Sequence, residues 1–309
     1  MSEEPKGKFG PSEYLFYRLI QRMKSSDKPS QISKTRLYKY SCEADHYLEE
    51  DLQTVITFPR YWYRYGEIPK FDWFDLPFIT ITEKNGFNII EFTRRVENNE
   101  FDISDDVQNA IDQTVSFIVS KFRDKETEEV LDLHYEHRAP REFIREFNSF
   151  RENLEVADLD HGTPVKYLSI SGPDDTKTPL KNQLKQLVIA YPDLYESMET
   201  AFLEWEDTMQ ILIEENELEA AQKLAGDFWT ALSRAELRIH HNKDISKSQI
   251  DEWKSDRPRI VDGILESIRN IRKKVITDAS INEELQSKEA TKEFTDLLGE
   301  PTIEADKTE

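Results

Sequence analysis

Four aromatics and two arginines fall within eight residues, Pro59-Arg60-Tyr61-Trp62-Tyr63-Arg64-Tyr65-Gly66. Guanidinium groups interleaved with flat aromatic faces can stack on nucleic-acid bases or anchor a protein partner, since Arg, Tyr and Trp carry most of the energy of many interfaces. Arg60, Tyr61, Trp62, Arg64 and Tyr65 are therefore the candidate partner-binding residues. The same segment has a plainer use on a helix, where Tyr61, Trp62 and Tyr65 would face a core and the arginines would stay in water.

Other reactive residue types are thinly spread. His134 and His137 flank Glu136 at a spacing that could place both imidazoles on one helical face. No neighbouring His or Cys completes a metal site there, so a structural or capping role is expected, with no metal and no cofactor. Cys42 sits beside acidic neighbours that would raise its thiol pKa, which makes it a poor nucleophile. Arg234, followed by His240 and His241, resembles the Arg-x-His spacing of HEPN-type helical ribonucleases. There the imidazole would move protons and the guanidinium would steady phosphate charge. A chain with 18 arginines and 6 histidines meets such a spacing by chance.

Composition removes several function classes. The chain has 309 residues, a formal charge of -21, and one cysteine. A lone cysteine excludes an internal disulfide and suits a reducing, cytoplasmic setting. Nine glycines, none spaced as GxxxxGK[ST] or GxGxxG, argue against a P-loop or Rossmann nucleotide site. No stretch approaches the ~20 apolar residues of a membrane span, and residues 1–10 do not resemble a signal peptide. The charge is uneven: residues 1–70 carry +2 and residues 71–309 carry −23. Only the first segment, through residues 11–92, is suited to approach DNA.

The elements that would position these residues are mainly helical. Residues 1–10 read as disordered. Ser12 reads as the N-cap of a first helix with Tyr14, Leu15, Tyr17, Leu19 and Met23. A break at Asp27 to Ser30 separates it from a second helix, Ser33 to Leu52. Pro59 would open a short third helix that Gly66 ends. Phe78 to Thr82 and Phe87 to Phe92 alternate around Asn85-Gly86, which predicts a β-hairpin. Two helices before a hairpin suggest a winged-helix-like layout. A further apolar stripe runs from Val107 to Phe122, a shorter helix spans about Glu126 to Glu136, and Pro140 opens another that runs to about Leu154.

Gly, Pro and Asp cluster over 156–179, a linker around one short strand, Val165 to Ile170. Three apolar stripes follow: Leu194 to Leu212, Leu218 to Leu232 and Ile260 to Val275, the last with Pro258 in its first turn. They predict an antiparallel bundle over 180–275 that could pair two chains into a homodimer, followed by an acidic tail over 276–309.

Three pieces of residues 12–150 occur in an order that resembles the Panacea domain, the SocA-like antitoxin family. They are Thr35-Arg36-Leu37-Tyr38-Lys39-Tyr40, then Trp62-Tyr63-Arg64-Tyr65-Gly66, then Leu131-Asp132-Leu133-His134 shortly before Pro140. Glu67 stands where the family has Pro. The chain is also similar to uncharacterised archaeal proteins carrying a Tyr-Trp-Tyr-x-Tyr-Gly motif. The resemblance implies a small helical domain that works by binding protein partners, including toxins, without catalysis.

The sequence therefore predicts a mainly α chain: a winged-helix-like or Panacea-like domain over 11–155 with one β-hairpin, then the helical bundle. The expected function is that of a non-enzymatic cytoplasmic interaction or regulatory protein. A winged-helix DNA-binding regulator and a HEPN-like metal-independent ribonuclease are the alternatives.

Overall fold

A computed structural model of the chain describes residues 9–24, 32–70, 76, 78–84, 87–162 and 177–298, without the side chains of 84, 87, 158–162 and 278–298. The fold is mainly helical, as the apolar periodicity predicts. Among the described residues no helix is long and apolar enough to cross a membrane.

Helix α1 (Pro11–Lys24) starts on proline, whose fixed φ and missing N–H suit a first turn. Ser12 is not its N-cap; it lies inside the first turn, and its hydroxyl donates to the Thr57 carbonyl. The Asp27 to Ser30 break lies outside the described residues. Helix α2 (Lys34–Glu50) begins as expected, with the Ser33 hydroxyl accepting from the Arg36 N–H at 3.2 Å. Two strands, β1 (Arg60–Tyr63) and β2 (Gly66–Pro69), come next. They precede the hairpin of β3 (Ile79–Lys84) and β4 (Phe87–Phe92), whose register runs from Ile79 opposite Phe92 to Lys84 opposite Phe87. The Asn85-Gly86 turn itself lies outside the described residues. Helix α3 (Asp105–Phe122) is capped by Ser104 and carries Asp105 and Asp106 in its first turn, where they oppose the helix dipole.

The segment after Pro59 corrects the helical reading. Arg60 and Trp62 point inward while Tyr61 and Tyr63 are half-buried, a period of two that a helix cannot supply. Aromatic residues favour strands when cross-strand partners exist. Here β1 pairs antiparallel with β2 on one side and with β5 (Asn242–Lys243) on the other. Gly66, at φ 79°, closes a tight strand turn and does not end a helix. The sheet β2-β1-β5 thus joins segments about 180 positions apart in sequence, and the chain holds a second sheet beside the expected hairpin.

Two hydrophobic clusters follow. The first gathers α1, α2, the β3–β4 hairpin, α3 and Val130 at the start of α4 (Thr127–Arg138). The second gathers α5 (Glu142–Gly162), α6 (Lys177–Ala190), α7 (Glu199–Glu214), α8 (Leu218–Leu232) and, past the single turn α9 (Arg238–His240), α10 (Lys247–Leu298), together with Trp62 and Tyr135. Helix α5, assigned by sequence to the first domain, packs Phe143, Ile144, Phe147, Phe150 and Leu154 into the second cluster. Its aromatics stack there: Phe147 lies 4.9 Å from Trp229 at 15°, and 5.2 Å from Trp205. The core boundary therefore falls near residue 140, because an apolar stripe is assigned by what it meets and not by its neighbours in sequence. The strand expected at Val165 to Ile170 lies outside the described residues.

Leu194 does not continue the α7 stripe; it is exposed on a 3₁₀ segment (Asp193–Met198), where the tighter turn buries Tyr195 instead. Pro258 is not in the first turn of the last helix. Helix α10 begins at Lys247 and runs 52 residues, about 78 Å at 1.5 Å per residue. It takes in much of the segment expected to be a solvated tail. Pro258 and Lys254 are both exposed, so the carbonyl that Pro258 cannot bond faces water.

Because that proline removes a helical hydrogen bond at an exposed site, Pro258→Ala should stabilise the protein by ~1–3 kcal/mol. Thermal denaturation followed by circular dichroism checks this, and an unchanged or lower melting temperature would contradict it.

Candidate functional site

The aromatic–arginine segment divides between interior and surface. Arg60 is 4 % exposed and Trp62 is 4 % exposed, so neither is offered to a partner. Tyr61 is half-buried, with its ring 5.0 Å from that of Trp253. Arg64 and Tyr65 are exposed, and the Arg64 guanidinium lies over the Tyr65 ring at 5.2 Å.

Arg60 sits in a buried charged network. Its Nη1 contacts Asp45, itself 1 % exposed, and its Nε lies 2.7 Å from Glu67 Oε1. Glu67 Oε2 meets His46 Nε2 at 2.8 Å. Lys243 of β5 reaches the same Asp45 at 3.4 Å and Glu49 at 2.5 Å. Burial alone would raise the Glu67 carboxyl, but the hydrogen bond from His46 and the charge of Arg60 hold it at about 2.

Beside this network lie two buried bases. Lys39 is fully buried, and its Nζ donates to the Glu67 carbonyl at 2.7 Å. Burial lowers its pKa to about 8. His134, 1 % exposed, faces Glu43 Oε1 through Nδ1 at 2.9 Å and accepts the Glu67 N–H at Nε2, 3.2 Å away. That pattern assigns the Nδ1–H tautomer. Burial, with the Lys39 charge, lowers the imidazole to about 4. Trp62 stacks on it with ring centroids 5.5 Å apart at 24°. Gly66 is required at this point: a Cβ there would stand 2.8 Å from His134 Cδ2 and 2.9 Å from Lys39 Nζ. Three segments far apart in sequence thus meet at Lys39, Trp62, Gly66 and His134.

His137, the other half of the expected pair, is exposed and apart from this interior, 4.0 Å from Glu136. Among the described residues no group of three or more His, Cys, Asp or Glu could hold a metal ion. Cys42 is buried, and burial raises its thiol well above the ordinary range.

A second polar cluster lies at the end of α8, where a π segment (Ser233–Leu237) turns the fully buried Glu236 inward. His240 Nε2 is 3.0 Å from Glu236 Oε2, and Arg257 Nη2 is 3.4 Å from it. Arg257 also donates to Ser197 Oγ at 2.7 Å. His241 meets the Tyr195 hydroxyl at 2.7 Å, and burial together with the charges of Arg141 and His240 lowers its pKa to about 4. The partner of His240 is therefore Arg257, which sequence spacing did not suggest. Arg234 instead lines a groove with Asp227 and Arg259.

No family model, curated protein or solved structure matches this chain. What the site can do thus rests on its geometry. In both clusters the charged groups are turned on one another, which suits holding elements in place, while the turn after β1 presents Arg64 and Tyr65 outward.

Sequence reasoning missed Lys39, Glu43, Asp45, His46 and Glu67. One signal was available: Lys39, Glu43, His46 and Glu50 recur at helical spacing on α2, opposite Leu37, Tyr40, Ala44 and Leu48. A charged face of that kind usually meets water; here it meets β2 and α4.

The pKa shifts set a pH dependence. An unfolded chain protonates His134 near 6.5, whereas the folded protein does so near 4, so stability falls as pH drops across that window. Glu67 adds a further loss between 4.5 and about 2. Urea midpoints should decline steadily from neutral pH to pH ~4, and less steeply in His134→Gln. A profile that is flat over this range, or unchanged by the substitution, would contradict the assignment.

Proposed function

We propose that the chain is a non-enzymatic interaction module that binds a protein partner through the turn between β1 and β2. The observation that carries this reading is the state of Arg64 and Tyr65. Their side chains are exposed, yet their backbone is clamped from inside. The Arg64 carbonyl accepts the Tyr135 hydroxyl at 3.0 Å and the Trp229 indole N–H at 2.8 Å. Two buried donors on one carbonyl, together with the positive φ of Gly66, leave this turn little freedom to lose on binding. Arginine and tyrosine are the residue types that most often dominate protein interfaces.

The resemblance of residues 12–150 to the Panacea antitoxin domain supports a protein partner, a toxin among the possibilities, and a cytoplasmic setting. The burial of Arg60 against Asp45 and Glu67 takes away one of the cations that a DNA-binding reading would use for phosphate. The seating of His240 between Glu236 and Arg257 is a use of that histidine that needs no RNA substrate.

Affinity capture from the native lysate tests this, using the intact chain and an Arg64→Ala/Tyr65→Ala variant. Both side chains are exposed, so the variant should melt within about 1 °C of the wild type while losing a stoichiometric protein partner. Capture of nucleic acid without protein, or a partner retained by the variant, would overturn the proposal.

A further inference from the structure

The groove beside the π segment carries two charges, Arg234 and Asp227, that no ion pair among the described residues uses, while its third, Arg259, meets Asp256 at 3.5 Å. Arg257 Nε donates to the Ala235 carbonyl at 3.0 Å, and from that point α8 and α10 run antiparallel. Between them lies an open groove of about 610 Å³. Arg234 and Arg259 stand at the end near Ala235, Asp227 and Ser267 at the other, and Thr230 and Gly263 between them. Ala231 and Ile264 form a buried apolar floor.

Two features show that this face is not shaped by contacts within the chain. A Cβ on Gly263 would meet nothing within 4 Å, so no internal packing demands a glycine that weakens the helix interior. Gly226, one turn before Thr230 on α8, is equally open. Among the described residues, neither Arg234 nor Asp227 has an ion-pair partner in its own chain.

The groove is self-complementary in charge. A two-fold axis through its middle carries the arginine end onto the aspartate end. A second copy laid across it would set Arg234 opposite the partner's Asp227, and the reciprocal pair would form on the other side of the axis. Glycine at the midpoint would let the two helix pairs approach closely. We infer that α8 and α10 form an isologous homodimer interface, each groove being covered by the same helix pair of a second copy. Arg64 and Tyr65 do not line this groove.

Sedimentation velocity on the full chain tests the inference. The wild type should be dimeric at tens of micromolar, about the range in which a modest interface is occupied. Arg234→Asp and Asp227→Arg should each be at least about tenfold weaker in dimerisation. An equimolar mixture of the two should recover the dimer, because each variant supplies the charge the other has lost. Gly263→Trp should be monomeric with an unchanged circular dichroism spectrum, and Arg64→Ala/Tyr65→Ala should remain dimeric. A monomeric wild type at ~100 µM, a mixture that stays monomeric, or a Gly263→Trp variant that still dimerises would overturn it.

Discussion

A carboxylate taken out of water must be met by cations, and Asp45 is 1 % exposed. Two cations meet it, Arg60 from β1 and Lys243 from β5. Neither is near Asp45 in sequence, so satisfying one charge on α2 brings three distant segments to one point. The Arg60 guanidinium has more N–H donors than Asp45 can accept; its Nε–H goes to Glu67, which in turn meets His46. The three-stranded sheet forms around these pairs, and with it the junction between two hydrophobic clusters that have little else in common.

The same junction explains how a buried site and an exposed one arise from a single motif. Strand geometry sends alternate residues of Arg60–Tyr63 to opposite faces, which commits Arg60 and Trp62 to the interior. The turn that must follow is short and needs Gly66 at positive φ against His134 and Lys39. Its peptide is held by Tyr135 of α4 and Trp229 of α8. The two residues left over, Arg64 and Tyr65, have nowhere to go but outward. The interior chemistry of this region is thus spent on rigidity, and only the Arg64 and Tyr65 side chains at its tip are left to solvent.

Much of the fold could be read from local pattern. Ser33 and Ser104 announce their helices, the alternation of residues 78–92 announces its hairpin, and the stripes of α3 and α8 match the faces that are buried. What local pattern could not show was anything decided at long range. Arg60 to Tyr63 become a strand partly because two residues near position 242 pair with them. The aromatics of α5 belong to the second cluster because Trp205 and Trp229 await them there. Charge on a helix usually faces water; only β2 and α4 make the charged face of α2 an interior. His240 was legible as an unusual residue, but its partner Arg257 lies on another helix.

Asp45 is the group that ties α2 to both β1 and β5. Asp45→Asn keeps the shape of the side chain and removes its charge, leaving Arg60 under-compensated in the interior. Urea denaturation of this variant, with hydrogen exchange read segment by segment, measures the consequence. The variant should lose ~3–5 kcal/mol, with exchange accelerated in residues 60–69 and 238–243 together. A loss below ~1 kcal/mol, the scale of an exposed pair, or exchange changes confined to α2, would contradict that role for Asp45.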